Sequence, residues 1–288
     1  MSKTGKNVIG VLHPGAMGTS LAAALVKVGH RVYWASENRS VESAQRATAN
    51  KLHDCKTLAS LCKECNVIFS VCPPSEALTV AQAIAASGFN GTYVDCNAVS
   101  PSTSNSVADV MTAVDIDYVD GGVIGPPAWS EGTTRLFLSG PKADEIAELF
   151  SGSLMGTVNL GEKTDTASAM KMAYAAWTKG SSALLLSVFA LAEHHNLGDA
   201  LKKEWGLSQP GLDKKLSTAA IGNAPKAWRF VGEMQQIAAT LEDAGQNPGA
   251  FTSASDIYAA MSPFKTSNSE DITVAAVVQS IIDGYKQA

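Results

Sequence analysis

Lys171 stands in a stretch of small and apolar residues: Ala167, Ala169, Met170, Met172 and Ala173. Helical spacing puts Ser168 and Tyr174, three residues to either side, on its face. Apolar company disfavours the charged form of an amine and brings its pKa down toward the acid–base range. A lysine so placed can protonate a carbonyl oxygen or deprotonate an alcohol, with Tyr174 beside it as a further catalytic candidate. The competing reading is a surface lysine whose stem lies along Met172 and whose amine reaches water.

A second chemistry-bearing stretch is NVIGVLHPGAMG, Asn7 to Gly18. The apolar run Val8 to Leu12 stops at His13-Pro14-Gly15, and Ala16-Met17-Gly18 opens a helical pattern. Strand, glycine turn and helix in that order aim backbone N–H groups and a positive helix end at a diphosphate. Gly15, Ala16, Met17 and Gly18 are therefore cofactor-contact candidates. Gly15 would let the phosphates approach, and Gly18 would let helix and strand pack closely. His13 fills the first position of the G-x-G-x-x-G fingerprint, so the match is incomplete. A plain strand-to-helix turn of another α/β protein is the alternative.

The next strand, Arg31 to Ala35, ends in Ser36-Glu37-Asn38-Arg39-Ser40, where a dinucleotide site meets the adenosine ribose. The guanidinium of Arg39, with Asn38 and Ser40 beside it, suits a 2′-phosphate, so NADP(H) is expected in preference to NAD(H). Glu37 could instead favour the plain hydroxyl. The strand Val67 to Val71 ends at Cys72-Pro73-Pro74, and the strand Thr92 to Cys96 at Asn97-Ala98-Val99-Ser100-Pro101. Strand ends of this kind lie at the carboxyl edge of a parallel sheet, where ligands bind. Cys72 and Pro73 are assigned to the cofactor, and Asn97 to contact with substrate or nicotinamide. Ser100-Pro101 reads first as a helix N-cap and first-turn proline, and second as a substrate contact. Gly121 to Trp129 reads as a rigid glycine- and proline-rich loop, with Gly122, Val123 and Trp129 near substrate. Trp129, Tyr174 and Trp177 would line a bulky pocket or simply fill the core.

Strands alternating with helices up to about Gly161 predict an α/β fold with an N-terminal Rossmann-type, doubly wound parallel sheet. Residues 1–161 form the expected dinucleotide-binding domain, and residues 162–288 an all-α domain begun by a long helix, Thr166 to His195. That helix carries no charge between Lys179 and Glu193, so it is expected to be buried on every side, in a bundle or at a subunit interface. Its uncharged span, Gly180 to Ala192, is too short for a membrane. The 288 residues have 45% hydrophobic and 17% charged content and a net charge of −5, with no basic run to recruit nucleic acid. No signal peptide is read at the start, and a cytoplasmic location is expected. The five cysteines form one C-x-x-C, Cys62 and Cys65, without the second pair a zinc site needs. They read as small hydrophobes and no metal site is assigned, Glu193-His194-His195 included.

The order of motifs resembles the β-hydroxyacid dehydrogenases and the related 6-phosphogluconate dehydrogenases. The matching segments are Gly15-Ala16-Met17-Gly18, Asn38-Arg39-Ser40, Asp95 to Pro101, Gly121 to Gly125, and Lys171. KMAYAAWTKG and RFVGEM in the helical tail look like a less characterised branch of that superfamily. The resemblance implies hydride transfer between a nicotinamide and a hydroxy or keto group, with Lys171 as general acid/base, and a homodimer of interlocked helical domains. The chain departs from the pattern at His13, at Asn97 in place of a substrate serine, and at Asp165, Ala167 and Ala175 around the lysine. Glu233 stands near where those enzymes carry a second lysine, which argues against a simple small carboxylate substrate and leaves Glu233 itself as a substrate candidate. Two other readings follow: an imine reductase of the same architecture, and a non-catalytic NADP-binding sensor or partner protein.

Overall fold

The computed structural model describes residues 7–285. The chain divides into two compact units, which part between Met172 and Ala173. In the first unit, β1 (Val8–Leu12), α1 (Ala16–Lys27), β2 (Arg31–Trp34), α2 (Val41–Ala49), β3 (His53–Asp54), α3 (Leu58–Glu64) and β4 (Val67–Ser70) follow one another. Then come α4 (Ala77–Ala86), β5 (Thr92–Asp95), α5 (Pro101–Thr112), β6 (Asp117–Ile124), β7 (Thr134–Ser139), α6 (Ala143–Glu148), β8 (Met155–Asn159) and the start of α7 (Thr166–Ala175).

The strands make one eight-stranded sheet in the order β3-β2-β1-β4-β5-β6-β7-β8. Its strands are apolar on both faces because both faces are covered. Along β1, Ile9 and Val11 join one apolar cluster with Leu21, Val32 and Phe69, while Leu12 joins the other with Ile68, Tyr93 and Val107. The order reverses at β1, which has parallel partners in β2 and β4. That switch point opens a crevice at the carboxyl ends of the strands. The expected all-parallel sheet is mixed at one edge, since β6 and β7 pair antiparallel. The link between them is too short for a crossover helix.

Two expectations are corrected here. Gly121 to Ile124 is strand, not loop, and belongs to β6. Glycine is required there for close approach: a Cβ on Gly121 would meet the Asp95 carbonyl oxygen at 2.9 Å, and one on Gly122 the Ala167 carbonyl oxygen at 2.7 Å. The loop proper starts at Gly125, whose φ is +124° and whose Cβ would strike the Thr133 carbonyl oxygen. The expected boundary near Gly161 moves to Met172, because the first turns of α7 are tied into the first unit. Ser104 donates to the Thr164 carbonyl at 3.1 Å, and Asn105 to Asp165 at 3.1 Å.

The second unit is helical: the end of α7, then α8 (Ser181–His194), α9 (Gly198–Ser208), α10 (Leu212–Ser217), α11 (Ala227–Asp243), α12 (Gly249–Ala260) and α13 (Val274–Tyr285). π-Turns occupy Ala176–Gly180 and Thr218–Gly222. Leu186, Phe189, Met234, Ile237, Tyr258, Val277 and Ile281 are buried in its core. Within one chain α8 is not buried on every side, since Leu184 and Leu191 are 65% and 62% exposed, which leaves of the two expected covers the subunit interface. Thr166–His194 is long and apolar enough to cross a membrane by length and composition, contrary to the reading that counted only the uncharged span. The central helix of a bundle passes the same test.

Candidate active site

The turn between β1 and α1 is built as an open anion seat. Gly15 occupies the N-cap of α1 without a side-chain cap, and no acidic residue lies in the first turn. Its free N-terminal N–H groups and helix dipole favour a negative ligand. Where Gly15 lacks a Cβ, the nearest protein atom is 3.9 Å away, whereas a Cβ on Gly18 would lie 2.8 Å from the His13 carbonyl oxygen. Gly15 thus leaves room outward and Gly18 lets helix and turn close. Met17 packs against the sheet's apolar cluster, and Arg46 of α2 braces the turn through a 3.1 Å hydrogen bond to the Pro14 carbonyl.

His13 has φ +60°, a conformation that glycine adopts freely and other residues uncommonly. Its Nδ1 is buried without a protein partner. Burial, and next the charge of Arg39, lower its pKa to about 4. His13, Glu37, Asn38 and Arg39 line a cavity of about 240 Å³ whose other walls include Leu12, Leu58 and Val80. Asn38 is also left-handed, with φ +57°. Ser40 caps α2, accepting from the Ser43 N–H at 3.3 Å.

At the ends of β4 and β5, Asn97 is 2% exposed and both ends of its amide are engaged. Its oxygen accepts from the Cys72 N–H at 2.6 Å, and its nitrogen donates to Ser70 at 3.2 Å. The side chain is a latch between two strand ends. Burial pushes the Cys72 thiol up to about 12, and Pro73 beside it is exposed. Ser100 is buried and caps α5, accepting from the Thr103 N–H at 3.2 Å.

β6 seats α7. Asp120 accepts from the Ser168 hydroxyl at 2.6 Å, the Ser168 N–H at 2.7 Å and the Ser139 hydroxyl at 3.3 Å. Ser139 accepts in turn from the Ala167 N–H at 3.0 Å. One turn along, Lys171 donates from Nζ to the Val123 carbonyl at 2.7 Å, and its Cβ lies 3.1 Å from where a Cβ on Gly122 would stand. Gly122, Val123 and Lys171 are thus brought together. Trp129, in the loop after β6, is 53% exposed. Tyr174 follows on α7 in the second unit and is 44% exposed.

Sequence reasoning missed the role of Asp120, and with it Asp95. Burial raises Asp95 to about 7 and Asp120 to about 6, and the Asp120 charge raises Asp95 further. The available signal was a carboxylate in an apolar strand directly before Gly-Gly. It also missed Lys179, which emerges from the π-turn, pairs with Glu233 and lies 4.7 Å from the Phe230 ring centroid. Glu233, a candidate substrate contact, is thereby neutralised within its own unit. Cys62 and Cys65 are buried free thiols in an apolar cluster.

Residues 8–151 match the NAD binding domain of 6-phosphogluconate dehydrogenase. The chain belongs to that family. It carries an NAD(P)-binding domain, in agreement with the open seat at α1. Residues 192–261 match a domain of unknown function (DUF1932). An uncharacterized 28.5 kDa protein of Methanothermus fervidus is 30% identical over 146 residues, 51% of this chain and 55% of that protein. The chain thus spans about half the length of this curated relative. A conserved hypothetical protein from Sinorhizobium meliloti 1021 has a similar solved structure, with TM-score 0.67, 22% identity and 98% of both chains covered. The 3-hydroxyisobutyrate dehydrogenase of Mycobacterium tuberculosis matches at TM-score 0.68 and 17% identity, over 96% of this chain and 99% of that one. Reductive aminases and an imine reductase share the fold as well. The Rossmann-type sheet followed by a helical domain is the architecture of this superfamily.

Proposed function

We propose that the chain is an NADP-dependent oxidoreductase that moves hydride between the nicotinamide and a hydroxy or keto group of a small organic substrate. The observation that carries this reading is the seat of Lys171, whose amine is held 2.7 Å from the Val123 carbonyl on β6 of the dinucleotide-binding unit. A carbonyl acceptor orients the amine, and an amine so oriented can exchange a proton with a substrate oxygen. The cofactor supplies hydride chemistry when bound. The residues at the turn would hold its diphosphate, and Arg39 its 2′-phosphate. Cys72, Pro73 and the latch at Asn97 shape the strand ends nearer the nicotinamide, while Gly122, Val123 and Trp129 are proposed to face substrate.

The test is turnover with NADPH on keto acids, aldehydes and cyclic imines, in wild type and Lys171→Ala. Carbonyl reduction that falls by about 10²–10⁴-fold in the variant, with NADPH binding unchanged, supports the assignment. Turnover that survives the substitution removes Lys171 from the chemistry. A preference for cyclic imines moves the assignment to imine reduction, and NADPH binding without turnover to a sensor or partner protein.

The exposed apolar residues Trp177, Leu184, Val188 and Leu191 recur at helical spacing along the π-turn and α8. They are the basis for proposing a homodimer. Light scattering at micromolar concentration should give twice the chain mass, and Leu184→Glu should shift it to the monomer.

A further inference from the structure

Position 13 carries two costs that one ligand would explain. The turn calls for a left-handed residue there, since φ at position 13 is +60°; the His13 carbonyl also accepts from the Gly15 N–H at 2.7 Å and lies against Gly18. Glycine would meet that requirement without strain, yet the chain places an imidazole. The imidazole then has a buried Nδ1 with no protein partner. Buried polar groups in native folds are almost always paired, so an orphan nitrogen on the wall of a cavity marks a missing partner. The cavity lies at the ends of β1 and β2, where the adenosine ribose sits in a dinucleotide fold, and Arg39 lines it too.

The charges around the ring narrow the chemistry. Glu37 and Arg39 come from the connection after β2, and Arg39 acts directly on His13. Arg46 of α2 is engaged by Pro14 and Ser43. Beyond Arg39, at the end of β4, Cys72 is a thiol kept neutral by burial, with Glu76 next to it. The walls from α3 and α4 are Leu58, Thr79, Val80 and Ala83, none charged. Burial and the Arg39 charge thus disfavour the cationic form of the ring in the free protein, and a dianion between the two groups would favour it.

We propose that His13 is a selectivity residue for the cofactor: its ring nitrogen serves the 2′-substituent of the adenosine ribose beside Arg39, and a 2′-phosphate there draws a proton from solvent onto the imidazole. This rests on the NADP-dependent reading above. The neutral ring in the free protein fits it, since the positive form then arises only with the phosphate.

The test is calorimetry with NADPH and NADH on wild type, His13→Gly and His13→Gln, in buffers of differing ionisation enthalpy between pH 6 and 8. The glycine variant keeps the backbone conformation at no steric cost, so it tests the side chain in a folded protein. Expected is a fall of about tenfold in the NADPH-to-NADH affinity ratio in His13→Gly. Wild type should take up more protons on binding NADPH at pH 6 than His13→Gln does. That comparison removes the titration of the phosphate itself, which both proteins share. Equal affinity ratios in all three proteins, or equal proton uptake in wild type and His13→Gln, overturn the role of His13 and leave the oxidoreductase reading intact. A wild-type preference for NADH overturns it too, while dinucleotide binding stands. No binding of either nucleotide by wild type overturns both readings together.

Discussion

Two of the helices seated against the sheet of the first unit are held in opposite ways. α1 enters after β1 and α7 is laid on β6. Each seat depends on a glycine, Gly18 in one and Gly122 in the other, whose Cβ would stand 2.8 Å and 2.7 Å from a backbone oxygen. At α7 the polar groups named at the contact answer one another: Asp120 takes Ser168 and Ser139, and Val123 takes Lys171. At α1 the helix end has no side-chain cap, and His13 keeps an unpartnered nitrogen. A closed seat fixes a side chain in place, and an open one leaves donors for something else. Close packing therefore serves positioning at β6 and ligand binding at β1.

The sharpest way to break the closed seat is Asp120→Ala. It leaves the Ser168 N–H and two hydroxyls without their acceptor in a buried site. We expect a loss of about 3 kcal/mol in stability by urea denaturation. Asp120→Asn keeps one acceptor and should lose less. In both, turnover should fall more than NADPH affinity does, because α7 carries the lysine and the open seat is elsewhere. An equal fall in both quantities would mean that the two seats are not separate devices.

Gly122→Ala and Gly18→Ala set the two seats against each other directly. Each adds one methyl against backbone, for about 2 kcal/mol of destabilisation. Their functional effects should differ in kind. Gly122→Ala pushes on Ala167 and the Lys171 Cβ, so kcat should drop with the NADPH Kd unchanged. Gly18→Ala pushes on the His13 carbonyl, so the NADPH Kd should rise. If both variants moved Kd alone, β6 would not be positioning the lysine.

The open seat was legible in the sequence, because strand, turn and helix are consecutive and local physics dictates them. His13 stood out as a departure from glycine, although only coordinates show that its nitrogen has no partner. The closed seat was not legible. Gly121 and Gly122 lower strand propensity, and the loop reading followed from that. What demands them is Asp95 in β5 and Ala167 in α7, remote in sequence, so tertiary approach overrides the local preference. The partners of Asn97 were not legible for a related reason: its amide bonds Cys72 and Ser70, which share no local pattern with it. The π-turn at Ala176–Gly180 leaves no mark in composition, and Lys179, which pairs with Glu233, lies within it.

The smallest effect expected is on stability against pH, and it separates the two seats by sign. Asp95 and Asp120 are raised by burial to about 7 and about 6, above the 3.8 at which a free aspartate titrates. Between pH 4 and 7 the folded chain therefore binds more protons than the unfolded chain does. Their contribution is fully present below pH 4 and is lost as pH rises through about 7. His13 runs the other way: its pKa is lowered to about 4 from 6.5, so its contribution is present above pH 6.5 and lost as pH falls through about 4. Removing the histidine with His13→Gly isolates the carboxylates. In that background, unfolding free energy should fall by about 1 kcal/mol between pH 6 and 7. Adding Asp95→Asn should flatten the profile, since the amide cannot ionise. A profile as steep as before would place the titrating group outside the β5–β6 pair.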